Sequence, residues 1–285
     1  MDENALMNIV SHEKNIMFFY IIGVFVVMGI WEWLASRRSQ KITRQTRWPN
    51  NLGLVLLNIL IFRVIFPGTA LAAGYWAFVH QFGLFHWCPV PLLFSIVFTV
   101  IALDYMSYYL HRLYHNVPWL WKIHRTHHTD PEVDITTGGR FHTLEILITL
   151  LFKWATIALL GAPVYGIFLF EIILNVGSIF SHSNVRIPQL LDHSLRLLIV
   201  TPDMHRIHHS VIPTETNSNF GFILTWWDRL LGTYRAEPQK GQEGMELGLG
   251  IFNGREELQV DRLLLQPFLD KEGRFALNNI FKKAL

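Results

Sequence analysis

Histidine is concentrated in three short clusters of this chain, at spacings that suit metal binding. Two clusters share the pattern HxxHH with an arginine inside it, as "HRTHH" and "HRIHH", and the third reads "HRLYH". They contain His111, His115, His124, His127, His128, His205, His208 and His209. Helical residues four apart lie about 40° apart around the axis, so each cluster directs its imidazoles to one side. Imidazole suits iron, zinc and copper, and eight such ligands exceed the need of one ion. The spacing therefore predicts two metal ions close together.

The composition indicates that these clusters belong to a membrane protein. The chain is 51% hydrophobic and 16% charged, against roughly 25% charged residues in an average soluble domain. A net charge of +2 without a dominant basic stripe argues against nucleic-acid binding. The single cysteine, Cys88, excludes an intramolecular disulfide and a cysteine-rich metal site. Any metal is therefore expected to be held by nitrogen and oxygen.

Apolar stretches long enough to cross a bilayer surround the histidine clusters. The first covers residues 16–35 and is followed by basic residues between positions 37 and 47, which the positive-inside rule assigns to the cytoplasm. The charge order is the reverse of a signal peptide, so we expect a retained anchor. A second stretch, 52–79, is interrupted at "FPG", and a third begins at Pro91 and ends in "HRLYH". The last, 144–180, is divided by "GAP" into a predicted helical hairpin.

A hairpin returns the chain to the side from which it entered, so all three clusters are predicted to share one membrane face. Because the hairpin returns the chain to the same side, His182, in "FSHSN", is also predicted to lie on that face as a further ligand. His142 lies just before the hairpin, and its role stays open between a ligand, a hydrogen-bond donor to a ligand and a substrate contact. The histidines read as structural or surface residues are His12, His80, His86 and His193.

Carboxylates are expected near the metal ions because neutral imidazoles bring no negative charge. Asp104 lies seven residues before His111 and therefore on the same helix face. We predict Asp104, Asp203 and Asp228 as the catalytic carboxylates, which accept the second N–H of ligating imidazoles. The alternative for each acid is an ordinary interfacial charge. The arginines inside the clusters either pair with these acids or mark the membrane interface: Arg112, Arg125 and Arg206.

The segments "LDYMSYYLHRLYH", "LWKIHRTHH", "FSHSN", "TPDMHRIHHS" and "NFGFILTWWDRLLGTY" together resemble the fatty acid hydroxylase superfamily, also called the sterol desaturase family. The resemblance covers about residues 101–234 and implies an integral membrane, di-iron, O2-dependent enzyme that acts on a lipid. The family's histidines fall on the three clusters and on His182. Some members have a further ligand four residues earlier, where this chain has Ser178. Water, His142 or another nearby donor is the expected replacement at that metal, and the alternative is an open position that suits oxygen or substrate binding.

We therefore expect an all-α integral membrane bundle of about four to five helices with a cytoplasmic, histidine-rich helical cap. Residues 1–90 are expected to form transmembrane anchor helices, 91–236 the catalytic domain, and 237–285 a cytoplasmic extension. The expected cofactors are two iron ions, with zinc as a substitute in purified protein. The expected location is multi-pass in a bacterial inner membrane or the endoplasmic reticulum, with the active site on the cytoplasmic face.

The expected reaction is hydroxylation of a sterol, fatty acyl chain or alkylglycerol with O2, and desaturation would use the same metal pair. No cytochrome b5-like segment follows Tyr234, so the electrons are expected from a separate donor of the cytochrome b5, ferredoxin or reductase type. The alternative is a non-oxidative membrane metalloprotein. A zinc hydrolase needs fewer histidines, and a metal transporter places its ligands along a path at mid-membrane.

Overall fold

The computed structural model describes residues 3–65, 69–252 and 254–269, and the regular secondary structure within these ranges is helical. Its α-helices in chain order are α1 (Glu3–Leu34), α2 (Arg44–Ile65), α3 (Ala70–Val79), α4 (Leu84–Trp87), α5 (Leu92–Asn116), α6 (Pro118–His128), α7 (Thr143–Leu160), α8 (Val164–His182), α9 (Gln189–Leu195), α10 (Pro202–His208), α11 (Pro213–Thr216), α12 (Trp226–Leu230), α13 (Gly241–Gly244) and α14 (Val260–Leu265). The described ranges contain isolated β-bridges but no β-strand. The predicted break at "FPG", residues 66–68, lies outside the described residues.

Among the described residues, five segments are long and apolar enough to cross a membrane: Ser11–Leu34, Arg44–Trp87, Leu92–Asn116, Thr143–Leu160 and Val164–His182. Many of their large apolar side chains point outward, and Phe19, Val64 and Leu93 are each more than 70% exposed. Apolar residues on the outer face of a helical bundle suit contact with lipid chains. The prediction of an all-α bundle with about four to five apolar helices is confirmed.

The apolar core lies between α3, α5, α7 and α8. Leu71, Leu103, Ile157, Ile167 and Phe170 are fully buried in it. Small residues let α5 and α8 approach each other closely. A Cβ atom added at Gly166 of α8 would lie 3.1 Å from the Thr99 side chain and 3.2 Å from the Cα atom of Ile96. Close approach at small residues is a common way to pack helices within a membrane.

The hairpin predicted at "GAP" is confirmed. Gly161 adopts the left-handed conformation (φ 62°) at the end of α7, and the N–H of Ala162 donates to the carbonyl of Ile157 at 3.0 Å. A glycine is favoured there because a Cβ atom would be strained, and Pro163 then precedes α8. Further along the hairpin, Lys153 of α7 forms a 2.7 Å ion pair with Glu171 of α8.

A buried ionic network fixes α2 to the loop that follows α6. The Arg47 side chain is fully buried, and its Nε and Nη2 atoms donate to both carboxylate oxygens of Asp130 at 2.7 and 2.8 Å. Its Nη1 atom donates to Asp134 at 2.6 Å, and the Asn51 amide donates to Asp130 at 3.1 Å. Bidentate arginine–carboxylate pairs are strong and directional. The last turn of α6, which carries most of the first HxxHH, is thereby held in place.

Glu32, at the end of α1, joins two loops that follow histidine-bearing helices. Its Oε1 atom accepts the backbone N–H of Ile135 at 2.9 Å and that of Asn184 at 2.7 Å, while Oε2 accepts from Arg44 at 3.2 Å. Ile135 follows α6 and Asn184 follows α8. The first helix of the chain therefore contributes to holding the histidine-rich side of the bundle together.

Candidate metal centre

Nine buried histidines meet where α5, α6, α8 and α10 end or begin. Five of them form one group: His111, His115, His124, His128 and His208. Four form a second group: His127, His182, His205 and His209. Within each group the potential ligand atoms lie within 4.8 Å of one another. This arrangement offers one site with five imidazole nitrogens and a neighbouring site with four.

Helix ends position the two HxxHH motifs, which we call the first box (residues 124–128) and the second box (residues 205–209). Pro118 is the first residue of α6, and the first HxxHH occupies its last turns. Thr201 caps α10 by accepting the N–H of Met204 at 3.4 Å, and Pro202 follows it at the first helical position. Threonine at the cap and proline next to it are favoured at helix starts. The second HxxHH therefore begins within the first turn of α10 and ends at its C-cap, His209.

The two boxes divide their residues between the groups in opposite ways. In the first box, His124 and His128 lie one helical turn apart and belong to the five-histidine group. The remaining histidine of that box, His127, belongs to the four-histidine group. In the second box the pair one turn apart joins the four-histidine group, and His208 joins the five-histidine group. Each box therefore supplies ligands to both sites.

Hydrogen bonds at Nδ1, which we call the outer ring nitrogen because it faces away from the group, leave Nε2 able to bind a metal ion. The Nδ1 atom of His111 lies 2.9 Å from the carbonyl of Phe220. Since a carbonyl only accepts, Nδ1 carries the hydrogen, and the neutral ring keeps a lone pair on Nε2. The Nδ1 atom of His124 lies 2.6 Å from a carboxylate oxygen of Glu145, with the same consequence. The two Nε2 atoms are 3.2 Å apart, so their lone pairs repel unless a cation lies between them.

One histidine of the four-histidine group, His182, shows the same pattern. The Nδ1 atom of His182 donates to the carbonyl of Ser178 at 2.8 Å, which leaves a lone pair on Nε2. This Nε2 atom lies 3.0 Å from Nε2 of His205 and 3.2 Å from Nε2 of His127. Three nitrogens with this separation and orientation suit a transition-metal ion.

The imidazoles of both boxes are neutral at physiological pH. Burial, and then the proximity of other histidines, lowers the pKa of the box histidines far below the ordinary 6.5, and burial lowers that of His124 to about 3. Neutral imidazole is the form that binds metal, so protons compete little for these nitrogens at pH 7.

Ser178 does not point toward the metal centre. Its hydroxyl donates to the carbonyl of Gly138 at 3.2 Å, and its own carbonyl accepts from His182. At the position where the family resemblance implies a further ligand in some members, this chain therefore uses its backbone to orient His182.

His142 lies outside both groups. Its Nδ1 atom accepts the N–H of Leu144 at 3.1 Å and so caps α7, while Nε2 lies 3.2 Å from the carbonyl of Leu264 and donates to it. One neutral tautomer satisfies both contacts. The structure thus gives this histidine a structural role at the junction of α7 and the C-terminal segment.

Replacing His142 with alanine is expected to destabilise the protein by about 1 kcal/mol, because α7 loses its N-cap. The metal content per chain is expected to stay unchanged, since neither ring nitrogen lies in a ligand group. Thermal unfolding in detergent and metal analysis after reconstitution measure the two quantities. A loss of one metal per chain would show instead that His142 is a ligand.

Asp104 of α5 and Asp228 of α12 hold the loop that precedes α12. The Asp104 carboxylate accepts two backbone N–H groups, at residues 223 and 224, and the indole N–H of Trp227 at 2.8 Å. The Asp228 carboxylate accepts the backbone N–H groups of residues 220 and 221 and the hydroxyl of Thr233 at 2.7 Å. The carbonyl of Phe220 in this loop accepts from His111. Both acids therefore contact the backbone of a loop that orients a histidine, and neither contacts the imidazole itself.

Asp203 lies at the surface of the cap and pairs with arginines. It accepts from Arg37 at 3.0 Å and from Arg206 within the second box. Arg125 of the first box donates instead to the carbonyl of Leu269 at 2.5 Å. Among the described residues, none of the three predicted catalytic aspartates forms a hydrogen bond with an imidazole.

Among the described residues, the carboxylate that contacts an imidazole of the two groups is Glu145, which was not predicted from the sequence. It lies in the first turn of α7, and its Oε1 atom is 2.6 Å from Nδ1 of His124. A signal for it is present in the sequence. Glu145 is the only acidic residue of an 18-residue helix apolar enough to cross a membrane. An ionisable residue in such a segment is by default a candidate for a functional site.

Comparisons with known proteins agree with this centre. Residues 96–233 match the fatty acid hydroxylase family model. The chain is 32% identical over 184 residues to the ornithine lipid hydroxylase OlsE of Rhizobium tropici, which covers 65% of this chain and 53% of that protein. It is 24% identical over 246 residues to the alkylglycerol monooxygenase of Xenopus tropicalis, covering 84% and 51%. It is 27% identical over 200 residues to the cholesterol 25-hydroxylase of Mus musculus, covering 66% and 61%.

The chain spans about half the length of the first two of these relatives. No solved structure matches it. The matched residues contain all nine histidines of the two groups. The resemblance inferred from the motifs is therefore confirmed, and the chain belongs to the fatty acid hydroxylase superfamily.

Proposed function

We propose that this protein is a membrane-bound di-iron oxygenase that hydroxylates a lipid, with O2 as oxidant and electrons from a separate donor. The observation that carries the proposal is the division of nine buried imidazoles into two adjacent donor groups at the end of an apolar helical bundle. The names of the three relatives describe oxidation of an ornithine lipid, an alkylglycerol and cholesterol, which supports a lipid substrate.

Two iron ions held by these histidines would activate O2, the oxidant that attack on an unactivated C–H bond requires. The chain itself provides rigid neutral ligands and an apolar wall around them. Phe141 stacks on His127 with ring centroids 4.6 Å apart, and Phe222 lies 5.1 Å from His111. Aromatic side chains at these positions exclude water from the ligand groups and offer an aliphatic substrate an apolar surface.

We propose a multi-pass topology with the metal centre on the cytoplasmic face. The end of α1 and the basic residues that follow it lie on the histidine-bearing side, where Arg37 contacts Asp203 two residues before His205. A basic segment next to a membrane span favours the cytoplasm. Within this topology residues 1–90 are anchor helices and 91–236 the catalytic domain. Residues 237–285 are an extension, whose Gln266 accepts from Thr129 directly after the first box.

Lipid analysis of cells that produce the chain tests the proposal. We expect the wild type to yield a lipid that carries one added oxygen atom derived from isotopically labelled O2. Cells producing the double variant His128→Ala/His208→Ala are expected to lack this lipid. A product that lacks two hydrogens would redirect the proposal to desaturation. If no lipid gains oxygen or loses two hydrogens relative to the variant, the oxygenase proposal fails, and a hydrolase or a transporter becomes the better account.

A further inference from the structure

The nine metal-binding histidines differ in what their outer nitrogens contact. The Nδ1 atoms of His111, His182 and His208 lie within 2.9 Å of backbone carbonyls, and that of His115 lies 3.3 Å from the amide oxygen of Asn217. All of these acceptors are neutral. Among the described residues, His124 alone has an outer nitrogen hydrogen-bonded to a carboxylate, that of Glu145. A carboxyl group therefore contacts a ligand of the five-histidine group directly, and among the described residues no imidazole of the four-histidine group has such a contact.

The contact between Glu145 and His124 is rigidly built. Glu145 is 4% exposed, and its second carboxylate oxygen is buried without a hydrogen-bond partner. The Tyr114 hydroxyl donates to the backbone carbonyl of Glu145 at 3.0 Å. The Tyr114 ring stacks on His124, with ring planes 16° apart and centroids 5.4 Å apart. The imidazole is thus fixed by a carboxylate at its edge and by an aromatic ring on its face.

Burial of a carboxylate with one oxygen unpaired is costly, and the helix would be more stable with an apolar residue at this position. A cation nearby offsets that cost. A carboxylate that accepts the Nδ1 hydrogen also makes Nε2 a stronger donor to a metal ion and fixes the ring in the ligating tautomer. Both effects act on the five-histidine group.

We propose that Glu145 is a positioning residue that raises the metal affinity of the five-histidine group, so that this group binds the first metal ion. The inference rests on the proposed two-metal centre and deepens it. It requires neither O2 nor a lipid substrate, and a metal titration therefore tests it independently of the oxygenase reaction.

Anaerobic titration of the metal-free, detergent-solubilised full chain with Co2+ tests the proposal, with the visible absorption of bound Co2+ and a competing chelator as readouts. We expect two binding steps in the wild type. Glu145→Gln keeps the size of the side chain and a hydrogen-bonding oxygen but removes the charge. This variant is expected to weaken the first step about 10- to 100-fold and to change the spectrum of the first bound ion. The second step is expected to stay as in the wild type.

Glu171→Gln is the matched control. It neutralises the other carboxylate of the same hairpin, which pairs with Lys153 and not with an imidazole. Both of its binding steps are expected to match those of the wild type. An unchanged first step in Glu145→Gln would overturn the proposal. Equal weakening in both variants would overturn it too, because the effect would then come from the stability of the hairpin. A single binding step in the wild type would likewise contradict it.

Discussion

Lipid oxidation is expected to fall at least about 100-fold when either His128 or His205 is replaced by alanine, because each change removes a ligand from a different metal site. Nε2 of His128 lies 3.1 Å from Nε2 of both His115 and His124. Nε2 of His205 lies 3.0 Å from Nε2 of His182 and 3.3 Å from that of His209. Product formation per reconstituted chain measures the loss of activity. Metal content is expected to fall from two ions per chain to about one in each variant.

His193→Ala is the control for this experiment. Its side chain is 51% exposed, and its Nε2 atom lies 3.7 Å from Glu237, away from both ligand groups. This variant is expected to retain the activity and both metal ions of the wild type. Retention of activity in His128→Ala or His205→Ala would contradict the two-site arrangement, as would an equal loss in His193→Ala.

Replacing Arg47 with methionine is expected to destabilise the protein by about 3–5 kcal/mol, because the buried carboxylates of Asp130 and Asp134 lose the guanidinium that they contact. Burial alone would raise the pKa of Asp130, but the charges of Arg47 and Arg140 lower it to about 2. Asp130 is therefore ionised at neutral pH, and in the variant its charge stays buried beside Asp134. We expect the histidine-bearing side of the bundle to unfold first, because this network holds the loop after the first HxxHH.

Unfolding by heat or denaturant in detergent micelles, with metal retention as a second readout, measures this effect. Arg186→Met is the matched control. Its guanidinium is 64% exposed and lies 4.0 Å from Glu243, and an exposed pair of this kind contributes at most about 1 kcal/mol. Arg47→Lys keeps the charge but not the bidentate contact, and we expect an intermediate loss of stability. If Arg47→Met and Arg186→Met unfold alike, the network does not support the cap.

The convergence of the histidines could be predicted because it depends on short-range geometry. Spacing of three and four residues on a helix fixes which imidazoles share a face, and the turn at Gly161 and Pro163 is marked by residue types with strong backbone preferences. These signals are local. They sufficed to place His182 and both boxes on the same side of the bundle.

The partners of the imidazoles could not be predicted in the same way, because they come from segments far apart in sequence. Asp104 shares a helix face with His111, yet seven residues of helix separate them by about 10 Å along the axis, so Asp104 contacts a different loop. Glu145 on α7 contacts His124 on α6. Arg47, read from the sequence only as part of a cytoplasmic basic segment, is fully buried. In each case the tertiary packing determines the contact.

The opposite division of the two HxxHH boxes has a consequence for the integrity of the chain. Since each group takes ligands from both α6 and α10, an ion bound in either group would join two helices that the whole α7–α8 hairpin separates in sequence. Such an ion would act as a long-range cross-link and restrict the unfolded chain as a disulfide does. With one cysteine in its sequence, the chain cannot form an intramolecular disulfide, and a bound ion would supply a cross-link through imidazole nitrogen instead of sulfur.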